Sequence, residues 1–399
     1  MDKLFLEELE LQNKRVLIRL DLNVPGDAAG NVTDDTRIEA ALPTLEYCLE
    51  QGAALILCSH RGRPAAEHVP SLSLRPVAAR LGELLGRPVI MPAEDPDYII
   101  NDEAFALADN LEAGQVMLLE NLRYDKREKA NDPHFAMRLA SLADLFINDA
   151  FPVCHRVHAS VVGVARYLPA AYGYQVKKEI EYMGRLKGDV ERPYVGILGG
   201  AKVSTKLGVL ETFLDKVDKL LIGGGLSYTF MAAAGRPIGR SIYEPDYTNI
   251  AHDMLEDNPD KIILAVDNYV VDQIGPEYEA QLVDRIPADK ESVDIGEKTK
   301  PLFAAEIARA KTLFWNGPLG YFEDERFAAG TRFIAREVAK LKDKGALTVI
   351  GGGDSAAAIR QTPGLNYDNY SFVSTAGGAA LEFVQGKVLP GLRALTDKA

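Results

Sequence analysis

Four arginines stand in short polar stretches: Arg37 in DDTRIEAALPTLEYCLEQG (34–52), Arg63 in SHRGRP (59–64), Arg123 in ENLRY (120–124) and Arg156 in CHRVH (154–158). A guanidinium matches carboxylate and phosphate with two parallel donors. Four of them on separate loops, with Asp21, Asn23 and His60 nearby in the same half of the chain, describe a site for a small anion with two acidic ends. Arg37 falls in the first turn of a helix, where a cation opposes the macrodipole; an ion pair with Asp34 or Asp35 would also account for it. Cys154, His155 and His158 bring metal-binding side chains together. No second Cys-rich pair accompanies them, so a zinc site is disfavoured.

The second half carries different chemistry. In GILGGAKVSTKLGVLETFL (196–214) a strand runs through Gly-Gly into a helix, and Lys202 and Lys206 are four apart, on one helix face. Two cations beside free backbone amides make sense when an anion neutralises them; two solvated lysines would give the same pattern. GGGDS (351–355) offers bare backbone for phosphates and, in Asp354, a carboxylate for Mg2+. A tight turn with Asp354 or Ser355 capping a helix reads equally well. LIGGGLSYTF (221–230) repeats the glycines without the acid, and WNGPLGYFEDE (315–325) holds the one tryptophan, a turn and Glu323. A core tryptophan beside a turn explains that last stretch by itself. The phosphate loop GxxxxGK[ST] is absent.

These residues need elements to position them. β-rich runs ending in polar or glycine residues recur at 15–23, 54–60, 116–121 and 145–151, then at 194–200, 219–225, 261–267, 312–318, 347–354 and 372–378, with helical stretches between. Strands alternating with helices predict parallel α/β sheets, and ten strands predict two doubly wound domains rather than one. LPAAYGYQ reads as a loop and VKKEIEYMGRLKGDV as one amphipathic helix, which places the junction at 168–193. In open parallel sheets ligands sit beyond the carboxyl ends of the strands. The first half then holds the small anion and the second the phosphates of a larger ligand.

The chain has 399 residues, 47% apolar and 26% charged, with a net charge of −13. That charge opposes non-specific nucleic-acid binding, so an anionic ligand must be held by local basic clusters. No apolar run reaches the roughly 18 residues of a membrane span. The acidic N-terminal stretch does not read as a signal peptide. Three widely spaced cysteines, Cys48, Cys58 and Cys154, suit free thiols in a reducing compartment. The expectation is a cytoplasmic protein.

Taken in order, LDLNVP (20–25), SHRGRP, ENLRY, NDAF (148–151), GGAKVSTK (199–206), IGGG (222–225), WNGP (315–318), GGGDS and LEFVQGKVLPG (381–391) closely resemble the bacterial-type glycolytic phosphoglycerate kinase family, almost end to end. The resemblance implies two Rossmann-like domains, 1–170 for 3-phosphoglycerate and 193–384 for nucleotide, joined by a hinge helix within 171–192, with the tail 385–399 returning to the first. It implies a monomer that reversibly transfers a phosphoryl group from 1,3-bisphosphoglycerate to MgADP, by direct in-line transfer with hinge closure and without nucleic-acid or membrane partners. By motif, 3-phosphoglycerate falls to Asp21, Leu22, Asn23, Arg37, His60, Arg61, Gly62, Arg63, Arg123 and Arg156. The nucleotide falls to Gly200, Lys202, Lys206, Gly224, Asn316, Pro318, Glu323, Gly352, Gly353, Asp354 and Ser355, with Asp354 as the Mg2+ ligand. Arg37 and Lys202 would flank the migrating group, and the amides of Gly377 and Gly378 would stabilise its charge. The chain departs from the family pattern at Pro152, Val153, Cys154 and Val157, which predicts a stiffer Arg156 loop. It departs at Ala376, which is harmless unless that position needs positive φ. Leu319 and Tyr321 predict a reshaped adenine pocket, and Ser355 is a mild change. A non-catalytic binding protein on the same fold would be expected to lack Arg37, Lys202 or Asp354, and all three are present. A dinucleotide-dependent dehydrogenase would need G-x-G-x-x-G after an early strand, with an acid about 20 residues on, and that arrangement is missing.

Overall fold

A computed structural model describes residues 2–95 and 99–398. They divide into two compact units, Met1–Glu181 with Lys387–Ala399, and Tyr182–Gly386.

The first unit is built on a six-stranded sheet, paired in parallel throughout. Its spatial order is Val89–Ile90 (β3), Val116–Leu118 (β4), Ala54–Cys58 (β2), Arg15–Leu20 (β1), Leu145–Asp149 (β5) and Ala170–Tyr172 (β6). Every residue of β2 is buried, as expected of a sheet covered on both faces. Register sets the strand ends level, with Arg19 opposite Cys58 on one side and Asn148 on the other. The helix Thr36–Glu50 buries Ile38, Ala41, Leu45 and Cys48, one stripe at helical spacing. β6 falls in the stretch that reads as a loop. Its Ala-Ala-Tyr sequence carries little strand signal; pairing with β5 and a bond from Tyr172 N to Leu4 O make the strand. The helix Tyr174–Arg185 follows, and the unit boundary falls inside it. Asp149, at the end of β5, caps it by accepting Gln175 N at 2.8 Å and Val176 N at 3.0 Å.

The second unit has its own parallel six-stranded sheet. The order is Phe372–Ser374 (β15), Leu347–Gly351 (β14), Thr312–Asn316 (β13), Tyr194–Leu198 (β7), Lys219–Ile222 (β8) and Ile262–Leu264 (β9). Beside it lies a three-stranded antiparallel sheet of Gln281–Val283 (β11), Asn268–Val271 (β10) and Glu291–Ile295 (β12). Nothing in the sequence reading anticipated it: β11 is largely exposed and has no apolar run to mark it. Trp315 is fully buried in the core and donates to Gly317 O at 2.8 Å. Among the described residues, no helix is long and apolar enough to cross a membrane.

Candidate functional site

In the first unit the candidate residues collect beyond the carboxyl ends of four adjacent strands, β4, β2, β1 and β5. Asp21, Leu22 and Asn23 follow β1; His60, Arg61, Gly62 and Arg63 follow β2; Arg123 follows β4 and Arg156 follows β5. Backbone and side chain tie the loops together. Leu22 N donates to Ser59 Oγ at 2.9 Å, Gly62 N to Asn23 Oδ1 at 2.7 Å, and Arg123 to Gly62 O at 2.6 Å. Arg37, in the first turn of Thr36–Glu50, pairs with Asp21. Asp35, one of the two acids the sequence offered it, is taken by Arg80 at 2.7 Å. Arg63 and Arg156 are exposed, and their guanidinium groups donate to no described residue. Burial holds the Arg123 pKa below its usual value, helped by the charges of Arg19 and Arg63. His60 is only 4% exposed. Burial, then Arg19, Arg123 and Arg37, push its pKa well down, so the ring is neutral. The result is a cationic pocket with two unengaged guanidinium groups.

Arg61 behaves differently from Arg63. Its guanidinium is buried and donates to Gly30 O at 2.8 Å, Ser73 O at 3.1 Å and Val24 O at 3.3 Å. A Cβ on Gly26 would stand 2.1 Å from it, so a side chain there would displace the guanidinium. Arg61 shapes the loop from inside. Asn121 does the same, donating to Arg61 O and Leu72 O. Asp149, one of the strand-end polar groups of the sequence, faces the helix N-terminus instead of an anion. Cys154 is buried, with its thiol pushed up to about 12 by desolvation. Pro152 occupies the opening of a 3-10 turn, Phe151–Val153, where a missing N–H costs little.

In the second unit the candidates follow β7, β8, β13, β14 and β15, adjacent strands of one sheet. The loops after β7, β8 and β13 press backbone on backbone: Gly200 N donates to Pro318 O at 3.0 Å and Leu226 N to Gly200 O at 2.8 Å. A Cβ on Gly199 would lie 2.0 Å from Pro318 O. These glycines therefore build the cavity wall before they meet any ligand. The cavity, about 460 Å3, is lined by Gly200, Gly224, Pro318, Glu323 and Asp354, together with Tyr228, Ile242, Ile274 and Tyr321. Tyr321 is exposed on the wall, whereas Leu319 is buried in the core against Gly223.

Lys202 and Lys206 do not share a helix face. The helix is Leu207–Lys216, and both lysines lie in the turn before it, Lys206 at the cap. Lys202 is exposed. The Lys206 ammonium donates to Asn316 O at 3.0 Å and to Asn316 Oδ1. Burial lowers its pKa to about 8, against the opposing pull of Asp354. Asn316 in turn donates to Gly351 O at 2.6 Å, and Ser355 Oγ accepts Gly317 N at 2.7 Å. Gly352 has φ of 97°, which a side chain resists. Gly353 opens the helix Gly353–Arg360, and the exposed Asp354 stands in its first turn with no hydrogen-bond partner among the described residues. Gly377 and Gly378 open the helix Gly377–Val384, whose cap Ala376 has φ of −85°, so alanine fits without strain.

One carboxylate at the cavity edge, Asp354, beside a helix N-terminus and bare backbone, fits the small number of protein carboxylates that a magnesium ion takes at a phosphate site. Among the described residues no group of three or more His, Cys, Asp or Glu is arranged to hold a metal ion by itself.

Sequence reasoning passed over Arg19, Glu128 and Ser160, all buried under the cationic pocket. Arg19 sits inside a strand, and nothing in its surroundings marks it as more than a strand residue.

Comparison with known proteins gives one consistent result. The family profile described as phosphoglycerate kinase matches residues 6–387. A phosphoglycerate kinase of Chloroflexus aggregans is 47% identical, covering 100% of both chains. One from a Synechococcus strain is 48% identical over 97% of this chain and 96% of its own. Among solved structures, phosphoglycerate kinase from Coxiella burnetii matches with a TM-score of 0.83 at 39% identity, and that from Pyrococcus horikoshii with 0.85 at 33%, each covering 98% of both chains.

Proposed function

The chain belongs to the phosphoglycerate kinase family, and from that premise we propose which of its residues carry the reaction. The enzyme reversibly transfers a phosphoryl group from 1,3-bisphosphoglycerate to ADP, giving 3-phosphoglycerate and ATP, as a kinase of glycolysis. The observation that carries the residue assignment is the contrast between the units: exposed, unengaged guanidinium groups in one, and in the other a glycine-walled cavity edged by Asp354, with the Lys206 ammonium held by Asn316.

In this reading Arg63, Arg123 and Arg156 hold the phosphate and carboxylate ends of 3-phosphoglycerate. Asp21 and Asn23 orient its hydroxyl and carboxylate oxygens, and the neutral His60 donates one hydrogen bond. Leu22, Arg61 and Gly62 act by fixing the loops. In the second unit the bare backbone at Gly200, Gly224, Pro318, Gly352 and Gly353 receives the nucleotide. Glu323 faces its sugar, Lys206 its phosphates, and Asn316 and Ser355 hold the turns in shape. Asp354 would hold Mg2+, which when bound would offset the charge of the nucleotide phosphates. Arg37 and Lys202 neutralise the migrating group from either side. Lys202 suits this because its exposed ammonium is free to follow the group. The amides of Gly377 and Gly378 add dipolar stabilisation at a helix N-terminus. Phosphoryl transfer needs little covalent help from the protein, so positioning and charge neutralisation do the catalysis. Because different units take the two substrates, transfer requires them to close, with the segment 171–192 as hinge. A monomer in the cytoplasm completes the proposal; three buried free thiols suit a reducing compartment.

The test is a coupled assay with 3-phosphoglycerate and MgATP, following acyl-phosphate formation. Arg37→Ala is expected to lower kcat by roughly 100-fold or more, as for loss of one preorganised charge-stabilising donor, with an unchanged circular dichroism spectrum. Wild-type-like turnover in that variant would remove Arg37 from the transfer step.

A further inference from the structure

The cationic pocket has a buried support that the reaction as described above does not use. Arg19 is 1% exposed, Glu128 1% and Ser160 0%. The three form one chain of hydrogen bonds. Arg19 Nε donates to Ser160 Oγ at 3.0 Å, Ser160 Oγ donates to Glu128 Oε1 at 2.7 Å, and Ser160 N donates to Glu128 Oε2 at 3.0 Å. Ser160 lies in the π-helical turn Ala159–Gly163, just beyond Arg156 and His158. Arg19 also donates to Leu20 O, at the end of β1. Its remaining terminal nitrogen lies 2.9 Å from His60 Nδ1.

That last contact has only one chemical form. A guanidinium has five N–H donors and no acceptor. His60 Nδ1 must therefore carry the lone pair, and in a neutral ring the proton must sit on Nε2. Nε2 has no hydrogen-bond partner among the described residues. The ring stands among Arg37, Arg123 and His158, so the free N–H belongs to the anion pocket. In the opposite tautomer Nδ1–H would face an arginine N–H, and a lone pair would meet the incoming anion.

We propose that Arg19, held in place by Ser160 and Glu128, is a positioning residue that fixes His60 as the Nε2–H tautomer, so that its ring presents a hydrogen-bond donor to the carboxylate or phosphate of the three-carbon substrate. The proposal rests on the reading above that His60 faces 3-phosphoglycerate. Glu128 anchors the far end of the chain: its carboxyl group accepts both Ser160 N and Ser160 Oγ, and so holds the hydroxyl to which Arg19 Nε donates. Ser160 Oγ accepts from one and donates to the other, and so fixes the spacing between them.

Two measurements test this on the full chain. Long-range proton–nitrogen spectra of the 15N-labelled, ligand-free protein report the protonated ring nitrogen of His60 directly, with His60→Gln assigning the signal. The expected result is protonated Nε2 and bare Nδ1; protonated Nδ1 would overturn the proposal without any variant being made. Ser160→Ala then removes the bridging hydroxyl and leaves Arg19 and Glu128 themselves in place. Its expected effect is a mixture of His60 tautomers and a roughly ten-fold higher KM for 3-phosphoglycerate, the order of one hydrogen bond to a charged group. KM for ATP should stay unchanged, and Ser160→Thr should restore both readings. An unchanged tautomer and KM in Ser160→Ala would overturn the relay. A changed tautomer with unchanged KM would confirm the relay and remove His60 from the anion site, so the two readings fail separately.

Discussion

Lys206 is the residue whose proton balance the proposed nucleotide site would change. Burial leaves its pKa at about 8, so a large share of the free enzyme carries a neutral amine at pH 9. Nucleotide phosphates favour the charged form and raise the pKa again. Binding of ADP at pH 9 is therefore expected to take up a proton, and binding at pH 6.5 to take up none. Calorimetric titration in two buffers of different ionisation enthalpy measures the proton count directly. Lys206→Met should abolish the uptake; equal uptake in both proteins would assign it to another group. The residue scale is also where sequence is hardest to read. Arg61 and Arg63 are indistinguishable as letters, yet one guanidinium satisfies three backbone carbonyls and the other is free. Residues two apart on a tight loop need not point alike, least of all with Gly62 between them at φ of 62°.

At the scale of elements, strand ends were legible because each apolar run stops where the backbone leaves the sheet and meets water or a ligand. β3, β6 and the antiparallel sheet were not legible, since long-range pairing rather than local composition decides them. The helix after β7 begins five residues later than the lysine spacing suggests, because Lys202 to Lys206 form a turn whose Ser204 side chain and N–H bond Glu244. Asp149 is the element-scale device open to test. It caps the helix Tyr174–Arg185 and accepts Thr44 Oγ1 at 2.6 Å. Asp149→Ala leaves these donors buried without an acceptor and should cost about 2 kcal/mol in urea unfolding. Burial raises Asp149 to about 6 from an unfolded 3.8. Between those values the folded chain binds more protons than the unfolded one, so this group's contribution to stability falls as pH rises through the window. Asp149→Asn, compared at pH 4.5 and pH 7, should lose that slope. Ala376 tests the opposite case. Its φ of −85° needs no glycine, so Ala376→Gly should leave kcat within roughly two-fold. A large gain in kcat would show that the methyl obstructs transfer.

At the scale of the whole molecule, the pairing of a cationic pocket in one unit with a glycine-walled cavity in the other was legible from motif order alone. Small-angle scattering should show the radius of gyration fall with 3-phosphoglycerate and MgADP together, and by less with either alone. An unchanged radius with both would argue against closure. The route of the backbone adds a further consequence. The first unit contains Lys387–Ala399: Leu4 N donates to Thr396 O at 2.9 Å, and Gly391 N to Cys154 O at 2.8 Å, in the loop that carries Arg156. A ribosome adds residues 387–399 only after every residue of Tyr182–Gly386 has been joined to the chain. During synthesis the second unit therefore has all its residues before the first does. The Arg156 loop waits without its final neighbour until the tail has been made, so the first unit cannot complete its own packing until synthesis of the second has finished.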